Sequence, residues 1–346
     1  MVTVKDISGA AGLNRDQLLD LYYKMLLART VGQRERMLNR MGKGPFAVTG
    51  EGHEALQVGT AYALKPKHDW VVPYYRDIGV ALTIGQTPLD LLLAHLSRES
   101  DISSGGRNMP SHFSDPTLRI VSGSAPVATH LPHAAGIALA SKLRGVDQVS
   151  AVYTGEGGTS TGDCHEAMNF AGVHKLPVIF IIENNQYAIS VHWRKQAAVE
   201  NVSVRAEGYG FPGVTVDGND VIAVYAAMKE AVDRARKGKG ATLIEGKTYR
   251  LVPHTSDDDD RRYRAREEVE EWTKKDPLIR YRTWLTEHDV ADQVKLDQIH
   301  EQAAREVDEA TEEAEKAPTP KPESALGHVF VEGYHARRVE RTGSGE

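Results

Sequence analysis

Apolar runs and amphipathic stretches alternate along this chain. Two short apolar runs, Val149–Thr154 and Pro177–Ile182, flank a segment of helical composition. An apolar run of this length that ends in turn residues is typical of a strand buried on both faces of a parallel sheet. Three further runs predict strands at Trp70–Pro73, Gly213–Val216 and Thr242–Tyr249. The pattern therefore predicts an α/β fold with a doubly wound, mainly parallel sheet.

Segments whose apolar residues recur at helical intervals lie before, between and after these strands. Asn14 and Gln17 form a capping box before a long helix. Its predicted core positions are Leu18, Leu21, Tyr22, Met25 and Ala28. Other helices are predicted at Glu54–Leu64, at Leu131–Leu143, from Asn219 or Asp220 to Arg236, and from Asp276-Pro277 onward. The segment Gln298–Lys316 is also helical, and because it is densely charged we expect it to bury little.

The ends of the chain are expected to lie outside the core. Residues 1–13 are predicted to form a loosely packed N-terminal segment. At the other terminus, a short apolar patch at Val329–Val331 precedes a tail that we expect to be disordered at Thr342–Glu346. We divide the chain into an α/β domain, residues 1–270, and a C-terminal helical extension with its tail, residues 271–346.

Both central strands end in residues that a buried strand disfavours. Gly155-Glu156-Gly157-Gly158 follows the first run, and Glu183-Asn184-Asn185 follows the second. In a parallel strand–helix–strand unit both carboxyl ends lie at one edge of the sheet, where open α/β folds bind ligands. Glu156 and Asn185 offer hard oxygen donors. They suit Mg²⁺, which takes one or two protein oxygens and completes its octahedron with phosphates and water.

A dinucleotide site of the Rossmann type is the main alternative at this turn. Gly155-Glu156-Gly157 opens that fingerprint, and Glu183 ends the next strand, where an acid would bind a ribose hydroxyl. The third glycine would fall at Ser160, however, and a carboxylate in the turn repels a pyrophosphate unless a cation lies between them. A P-loop is excluded because no Gly-Lys-Ser/Thr follows.

Positive side chains are expected at the same edge. Arg76 follows the strand at residue 70, and a guanidinium there can hold a phosphate with two hydrogen bonds, although alone it would equally suit an ion pair or the surface. The strand at Thr242–Tyr249 delivers Arg250 and His254. The following segment, 255–264, is charge-dense and cannot pack a core, so we expect it to be mobile unless something ties it down.

Composition narrows the class of protein. A net charge of −6 argues against a nucleic-acid binder. The single cysteine, Cys164, excludes an internal disulfide and reads as a small packing residue. The chain begins with no signal-peptide pattern, and no apolar run approaches a membrane span. We therefore expect a soluble, cytoplasmic protein with no membrane or nucleic-acid partner.

Several motifs together resemble a known family. Gly155-Glu156-Gly157, then 26 residues, then Asn184-Asn185 resembles the thiamine-diphosphate motif GDG-x(25–30)-NN, with Glu in place of Asp. Further matches are GEGHEALQVG from residue 50, PYYRD from 73, GGRNMPSH from 105, SGSAPVATHLPHAAG from 122 and YRLVPHTSDDDDRRYR from 249. Over roughly residues 13–316 the chain resembles the α subunit of the E1 component of 2-oxo acid dehydrogenase complexes, most of all the branched-chain (2-oxoisovalerate) type.

The resemblance implies a site for thiamine diphosphate and Mg²⁺. The implied Mg²⁺ ligands are Glu156, Asn185 and the backbone carbonyl of Tyr187. The implied cofactor-binding residues are Tyr75, Arg76, Ala125, Val127, Gly155, Glu156, Gly157, Gly158, Asn185 and His254, with His254 also catalytic. Ser124 and Thr129 match a K⁺ site of the branched-chain enzymes, and Phe46 and Tyr74 match residues that line the substrate pocket.

The sequence also departs from the family pattern. Glu183 stands where the human-type enzyme has an arginine near the phosphates, and His130 stands where glutamine is common in the K⁺ loop. The family's loop over the cofactor corresponds to 254–264 and implies that Asp258, Tyr263 and Arg264 hold it together. Thr255 lies at the position of a serine that is phosphorylated in the mammalian enzyme.

The implied activity is decarboxylation of a 2-oxo acid and transfer of the acyl group to the lipoyl group of an E2 acyltransferase. The α/β pattern ends near residue 250, which leaves too little chain for the pyrimidine-binding domain of this family. We therefore expect a β subunit and an α₂β₂ heterotetramer. A pyruvate or acetoin dehydrogenase α subunit, an NAD-dependent oxidoreductase and a non-catalytic assembly subunit remain as alternatives.

Overall fold

A five-stranded parallel sheet forms the centre of the computed structural model, which describes residues 9–328. Its strands are β1 (Trp70–Val72), β2 (Ser150–Gly155), β3 (Val178–Asn184), β6 (Gly213–Asp217) and β7 (Thr242–Lys247), and a short antiparallel pair, β4 (Tyr187–Ala188) and β5 (Val191–His192), follows β3. The order across the sheet is β1-β2-β3-β7-β6. All five predicted strands are confirmed, with ends shifted by one or two residues.

Helices cover both faces of this sheet. They are α1 (Arg15–Arg40), α2 (Glu54–Tyr62), α3 (Ile78–Ile84), α4 (Pro88–His95), α5 (His130–Leu143), α6 (Gly162–His174), α7 (Val221–Arg236), α8 (Arg266–Thr273), α9 (Pro277–Glu287) and α10 (Gln293–Lys316). α5 and α6 pack on one face, whereas α1 to α4, α7, α9 and α10 contribute to the core on the other. The predicted doubly wound α/β fold is therefore confirmed.

Alternation along β3 shows how the sheet joins the two layers. Ile179 and Ile181 belong to the core that contains α1 and α2, and Val178, Phe180 and Ile182 belong to the core that contains α5 and α6. Successive side chains of a strand point to opposite faces, so a strand covered on both sides must be apolar at every position. This requirement explains the continuous apolar runs in the sequence.

The helix starts follow their capping residues. Asn14 caps α1, and the predicted capping box with Gln17 is present in both directions. Asp220, one of the two predicted caps, accepts from the backbone N–H groups of Ile222 and Ala223 at the start of α7. Among residues 9–328, no helix is both long and apolar enough to cross a bilayer. The predictions for residues 1–8, for the Val329–Val331 patch and for the tail lie outside the described residues.

The expectation that the last charged helix buries little is wrong. α10 begins at Gln293 and packs against α1 and α4. Its buried residues are Leu296, Ile299, Ala303, Val307, Ala310, Thr311 and Ala314. They recur every three or four residues and form one apolar stripe, while the many charged side chains occupy the solvent side. Ion pairs flank the seam, for example between Lys43 and Glu315 at 2.7 Å.

Val307→Ala should destabilise the chain because α10 is part of the main core. Val307 is fully buried, and losing two methyl groups with a residual cavity costs about 2 kcal/mol. Val294→Ala on the same helix is the matched control, because Val294 is 65% exposed, and its effect should stay within about 0.5 kcal/mol. Urea unfolding measures both, and equal effects would contradict the packing of α10.

Candidate active site at the carboxyl edge of the sheet

The ends of β2, β3 and β7 meet at one edge of the sheet. Gly155 pairs with Glu183, and Asn184 pairs with Lys247, so the residues after each strand are neighbours. The chain turns sharply after β2 into a short 3-10 helix, Glu156–Ser160. A Cβ on Gly157 would lie 2.6 Å from the Cβ of Ala188, so glycine is needed for this close approach.

A cavity of about 470 Å³ opens at this edge. Its lining residues are Phe46, Val48, Tyr74, Tyr75, Arg76, Met109, Pro110, His112, Ala125, Val127, Thr154, Gly155, Glu156, Gly157, Gly158, Thr161, Asn185, Tyr187, Ala188, Ile189, Arg250, His254 and Thr255. Every residue predicted to bind the cofactor, Mg²⁺ or the substrate is among them. Ser124 and Thr129, predicted for K⁺, are not.

Glu156 and Asn185 supply the oxygen donors of the cavity. Glu156 is 1% exposed; burial raises the pKa of its carboxyl group, and the backbone of Asn185 and the side chain of Gln196 oppose that rise. Asn185 accepts a hydrogen bond from the backbone N–H of Tyr187 at 3.1 Å through Oδ1. Residues 9–328 hold no cluster of three or more His, Cys, Asp or Glu side chains suited to a metal.

This donor set fits Mg²⁺ bound together with phosphate. One carboxylate and one amide oxygen satisfy the small protein share of ligands that this ion takes in phosphate sites. The carbonyl oxygen of Tyr187 accepts from Nη1 of Arg250 at 3.1 Å and keeps a second lone pair. A site of thiolate or imidazole ligands, as zinc prefers, is not formed by these residues.

Two buried arginines give the cavity its positive charge. Arg76 is 1% exposed and Arg250 is fully buried, and neither forms an ion pair within the described part of the chain. Arg76 donates from Nη1 to the carbonyl of Thr49 at 2.7 Å, whereas its buried Nε has no partner there. A buried charge without a counter-ion is costly. The unpaired donor therefore fits an anionic group such as a diphosphate.

Arg250 is a site residue to which the sequence assigned no role. It donates from Nη2 to the carbonyl of Ile189 at 2.8 Å and to the hydroxyl of Tyr263 at 3.0 Å. Burial and the neighbouring Arg76 lower the pKa of its guanidinium group, which shows how unfavourable two adjacent cations are without an anion. Arg250 directly follows the predicted strand Thr242–Tyr249, and that position at the sheet edge was the available signal.

His254 lies against both arginines. Its Nδ1 is 3.2 Å from Nη2 of Arg76 and 3.5 Å from Nη1 of Arg250. Burial and these two cations lower the pKa of the imidazole to about 3, so the ring is neutral near pH 7. Because guanidinium groups only donate, Nδ1 accepts and the ring proton is on Nε2. The ring can therefore donate from Nε2.

Charged hydrogen bonds tie down the segment after His254. Asp258 accepts from the backbone N–H of His254 at 2.8 Å and also from the hydroxyl of Tyr263. Arg264 pairs with Asp260 and donates to the carbonyl of Arg250. These contacts involve the three residues that the resemblance singles out, Asp258, Tyr263 and Arg264. Few apolar side chains take part, as the composition indicated.

Glu183 does not reach the cavity. It is fully buried and accepts hydrogen bonds from Nε2 of Gln57 and from the hydroxyl of Tyr74, both at 3.1 Å. Burial raises the pKa of its carboxyl group. The ribose-binding role that the dinucleotide alternative gives to this side chain is therefore not formed. Arg76 and Arg250, and not Glu183, line the cavity.

The predicted K⁺ loop brings three oxygens together. The hydroxyls of Ser124 and Thr129 are in contact, and their oxygens lie 3.2 Å and 3.0 Å from the carbonyl oxygen of Pro126. His130 points away, because its Nε2 is hydrogen-bonded to the carbonyl of Tyr153 in β2 at 2.7 Å. Cys164 is 1% exposed in α6, and burial raises the pKa of its thiol, as expected for a packing residue.

Comparison with known proteins identifies the family. The family profile described as "Dehydrogenase E1 component" matches residues 22–323. The 2-oxoisovalerate dehydrogenase subunit alpha of Bacillus subtilis (strain 168) is 53% identical over 326 residues, which cover 93% of this chain and 98% of that protein. The pyruvate dehydrogenase E1 component subunit alpha of Staphylococcus aureus (strain MRSA252) is 40% identical over 304 residues, 88% of this chain and 79% of that protein.

A third relative is also named as the α subunit of a dehydrogenase. The 3-methyl-2-oxobutanoate dehydrogenase subunit alpha of Mycobacterium tuberculosis (strain CDC 1551 / Oshkosh) is 38% identical over 322 residues, 93% of this chain and 84% of that protein. The family profile covers most of the chain, and the relatives match it nearly from end to end. The chain belongs to the family of dehydrogenase E1 components.

Proposed function

We propose that this chain is the E1 α subunit of a branched-chain 2-oxo acid dehydrogenase complex. It takes part in oxidative decarboxylation of a 2-oxo acid and in transfer of the acyl group to the lipoyl group of E2. The observation that carries this proposal is the cavity in which Glu156 and Asn185 face two buried, unpaired arginines. The higher identity to the 2-oxoisovalerate relative, 53% against 40% for the pyruvate relative, supports the branched-chain type.

Thiamine diphosphate is the cofactor of this reaction, and when bound it supplies a carbon nucleophile and an electron sink for decarboxylation. Arg76 and Arg250 would hold its diphosphate, because both line the cavity, meet at Nδ1 of His254 and have no carboxylate partner in the described part of the chain. Glu156, Asn185 and the carbonyl of Tyr187 would hold Mg²⁺. The glycines of the β2 turn leave room for the backbone to approach that group. Ser124, Thr129 and the Pro126 carbonyl could bind K⁺.

His254 is the hydrogen-bond donor of the site in this proposal. Nδ1 accepts from Arg76, so the neutral ring can donate a hydrogen bond from Nε2 to an anionic oxygen in the cavity. Asp258 holds the backbone of His254 in place. The same contacts join the loop to Tyr263 and Arg250, so loop order and the position of the imidazole depend on each other.

Part of the cavity wall is apolar. Phe46, Val48, Met109, Pro110 and Ile189 form it. An aliphatic side chain of a substrate can be desolvated there, which favours a branched 2-oxo acid over a smaller one. A pyruvate-type α subunit is the second candidate, since a relative of that name is 40% identical to this chain over 304 aligned residues.

The β subunit supplies the other half of the site. Met109, Val127 and Ile189 line the cavity and yet are 57%, 53% and 58% exposed. Apolar side chains exposed around a polar site are typical of a surface that another protein covers. We infer an α₂β₂ assembly that works with a lipoylated E2, and a cytoplasmic location in line with the composition.

Glu156→Gln should weaken Mg²⁺ binding because it removes the only carboxylate ligand proposed. At saturating thiamine diphosphate we expect the Mg²⁺ affinity of the αβ assembly to fall by at least about tenfold. Calorimetric titration with Mg²⁺ measures this effect. Glu166→Gln, an exposed glutamate on α6, should leave the affinity unchanged. Equal affinity of Glu156→Gln and the wild type would remove Glu156 from the metal site.

Amide exchange across residues 254–266 should slow when Mg²⁺ and thiamine diphosphate are added. Few apolar contacts hold this loop, so its order depends on charged hydrogen bonds that an anion on Arg76 and Arg250 strengthens. Hydrogen–deuterium exchange with peptide resolution measures this change, and β3 serves as the internal control, because it is already buried. Equal exchange of the loop with and without cofactor would contradict this coupling.

Turnover should require the β subunit and should favour branched substrates. We expect no measurable decarboxylation by this chain alone. For the αβ assembly we expect kcat/KM for 2-oxoisovalerate to exceed that for pyruvate by at least about tenfold, because each extra buried methylene is worth roughly that factor. Steady-state assays with a panel of 2-oxo acids test both points. Turnover by the chain alone, or no turnover with any partner, would contradict the proposal.

A further inference from the structure

His53 lies at the start of α2 but does not act as a helix cap. It occupies the N-cap position, and its side chain makes no hydrogen bond to the first turn. Ser, Thr, Asp and Asn are preferred there because they satisfy the free backbone N–H groups. The ring is fully buried instead and extends to the carboxyl edge of β3, where its Nε2 lies 3.1 Å from Nδ2 of Asn185.

The hydrogen bonds of Asn185 determine which end of its amide faces which partner. The backbone N–H of Tyr187 donates to Oδ1 at 3.1 Å, so the flipped amide would set two donors against each other. Nδ2 must then donate, and Nε2 of His53 must accept. The proton of the neutral ring is therefore on Nδ1, which has no partner among residues 9–328.

Asn185 is held at both ends by these contacts. A terminal amide otherwise rotates in a broad, roughly two-fold well, which exchanges its oxygen and nitrogen. With Nδ2 bound to His53 and Oδ1 bound to Tyr187, one lone pair of Oδ1 remains free. Asn185 is 4% exposed and lines the cavity beside Glu156, so this lone pair is directed at the place proposed for the metal.

We propose that His53 is a positioning residue that fixes the amide of Asn185 for Mg²⁺ binding; this inference rests on the proposed function. His53 itself is absent from the cavity lining and acts only through Asn185. Groups that hold and orient metal ligands typically change metal affinity by 10- to 100-fold when they are removed. A buried ring nitrogen left without a partner is tolerated here because the other nitrogen orients a ligand.

This role predicts a change in selectivity as well as in affinity. Mg²⁺ requires a nearly ideal octahedron, whereas Ca²⁺ accepts six to eight oxygens in flexible geometry. A rotated Asn185 therefore weakens Mg²⁺ more than Ca²⁺. General loosening of the fold would weaken both ions alike. The ratio of the two affinities separates a positioning role from a purely structural one.

The test uses the αβ assembly saturated with thiamine diphosphate, titrated separately with Mg²⁺ and Ca²⁺ by calorimetry. His53→Leu removes the acceptor. His53→Gln restores it, because Oε1 of glutamine lies near the position of Nε2. His95→Leu is the matched control, since His95 is also fully buried and its ring nitrogens have no hydrogen-bond partner in the described part of the chain.

We expect His53→Leu to lose about 10- to 100-fold in Mg²⁺ affinity and to bind Ca²⁺ with a smaller loss. His53→Gln should recover most of the Mg²⁺ affinity, and His95→Leu should match the wild type. If His53→Leu does not fold, His53→Met removes the strong acceptor with a flexible side chain that fills irregular space, and is measured in its place.

Three results would overturn the inference: unchanged Mg²⁺ affinity in the apolar variant, an equal loss for both ions, or a glutamine variant as weak as the leucine variant. Failure of the proposed function gives a different result, because the wild type itself would then not bind Mg²⁺ with thiamine diphosphate.

Discussion

Two buried guanidinium groups without carboxylate partners are the constraint on which this structure depends. Arg76 and Arg250 lie beside the neutral ring of His254. In the described part of the chain their hydrogen-bond acceptors are backbone carbonyls, that ring and, for Arg250, the Tyr263 hydroxyl. Such groups are costly to bury, and a bound anion offsets part of that cost. A ligand that binds only the folded state also stabilises it by mass action. The same buried charges therefore disfavour folding of the empty protein and favour binding of an anion.

Much of the fold follows from the sequence by direct physical argument. β2 and β3 were recognisable because a strand covered on both faces must be apolar throughout, and the ends of α1 and α7 were recognisable from Asn14 and Asp220. The prediction for α10 relied on its composition, which is dominated by charged residues. It therefore missed the stripe of apolar residues that the helix buries. Periodicity carries this information and overall charge does not, because one narrow stripe is enough to pack a helix.

The candidate site was predictable to the extent that it follows from strand ends. Parallel pairing brings Glu156 and Asn185 to one edge whatever the side chains around them are. The orientation of a side chain at that edge is a tertiary property. Glu183 was expected at this sheet edge, where the dinucleotide alternative made it a ribose ligand, yet its side chain is buried and accepts from Gln57 and Tyr74. His53, 132 residues from Asn185 along the chain, had no local signal beyond an unusual residue for a helix cap.

The charged part of the cavity and its exposed apolar rim differ in what they require from a partner subunit. At the arginine end the chain provides its own donors, and charged hydrogen bonds through Asp258 hold the loop over them. At its exposed rim Met109 and Val127 present apolar surface that water covers poorly. A partner that covers this rim removes water from a space already lined by cations, which strengthens every electrostatic contact inside it. Under the proposed function, binding of the partner and binding of the anion are therefore linked, because both depend on removal of water from this one cavity.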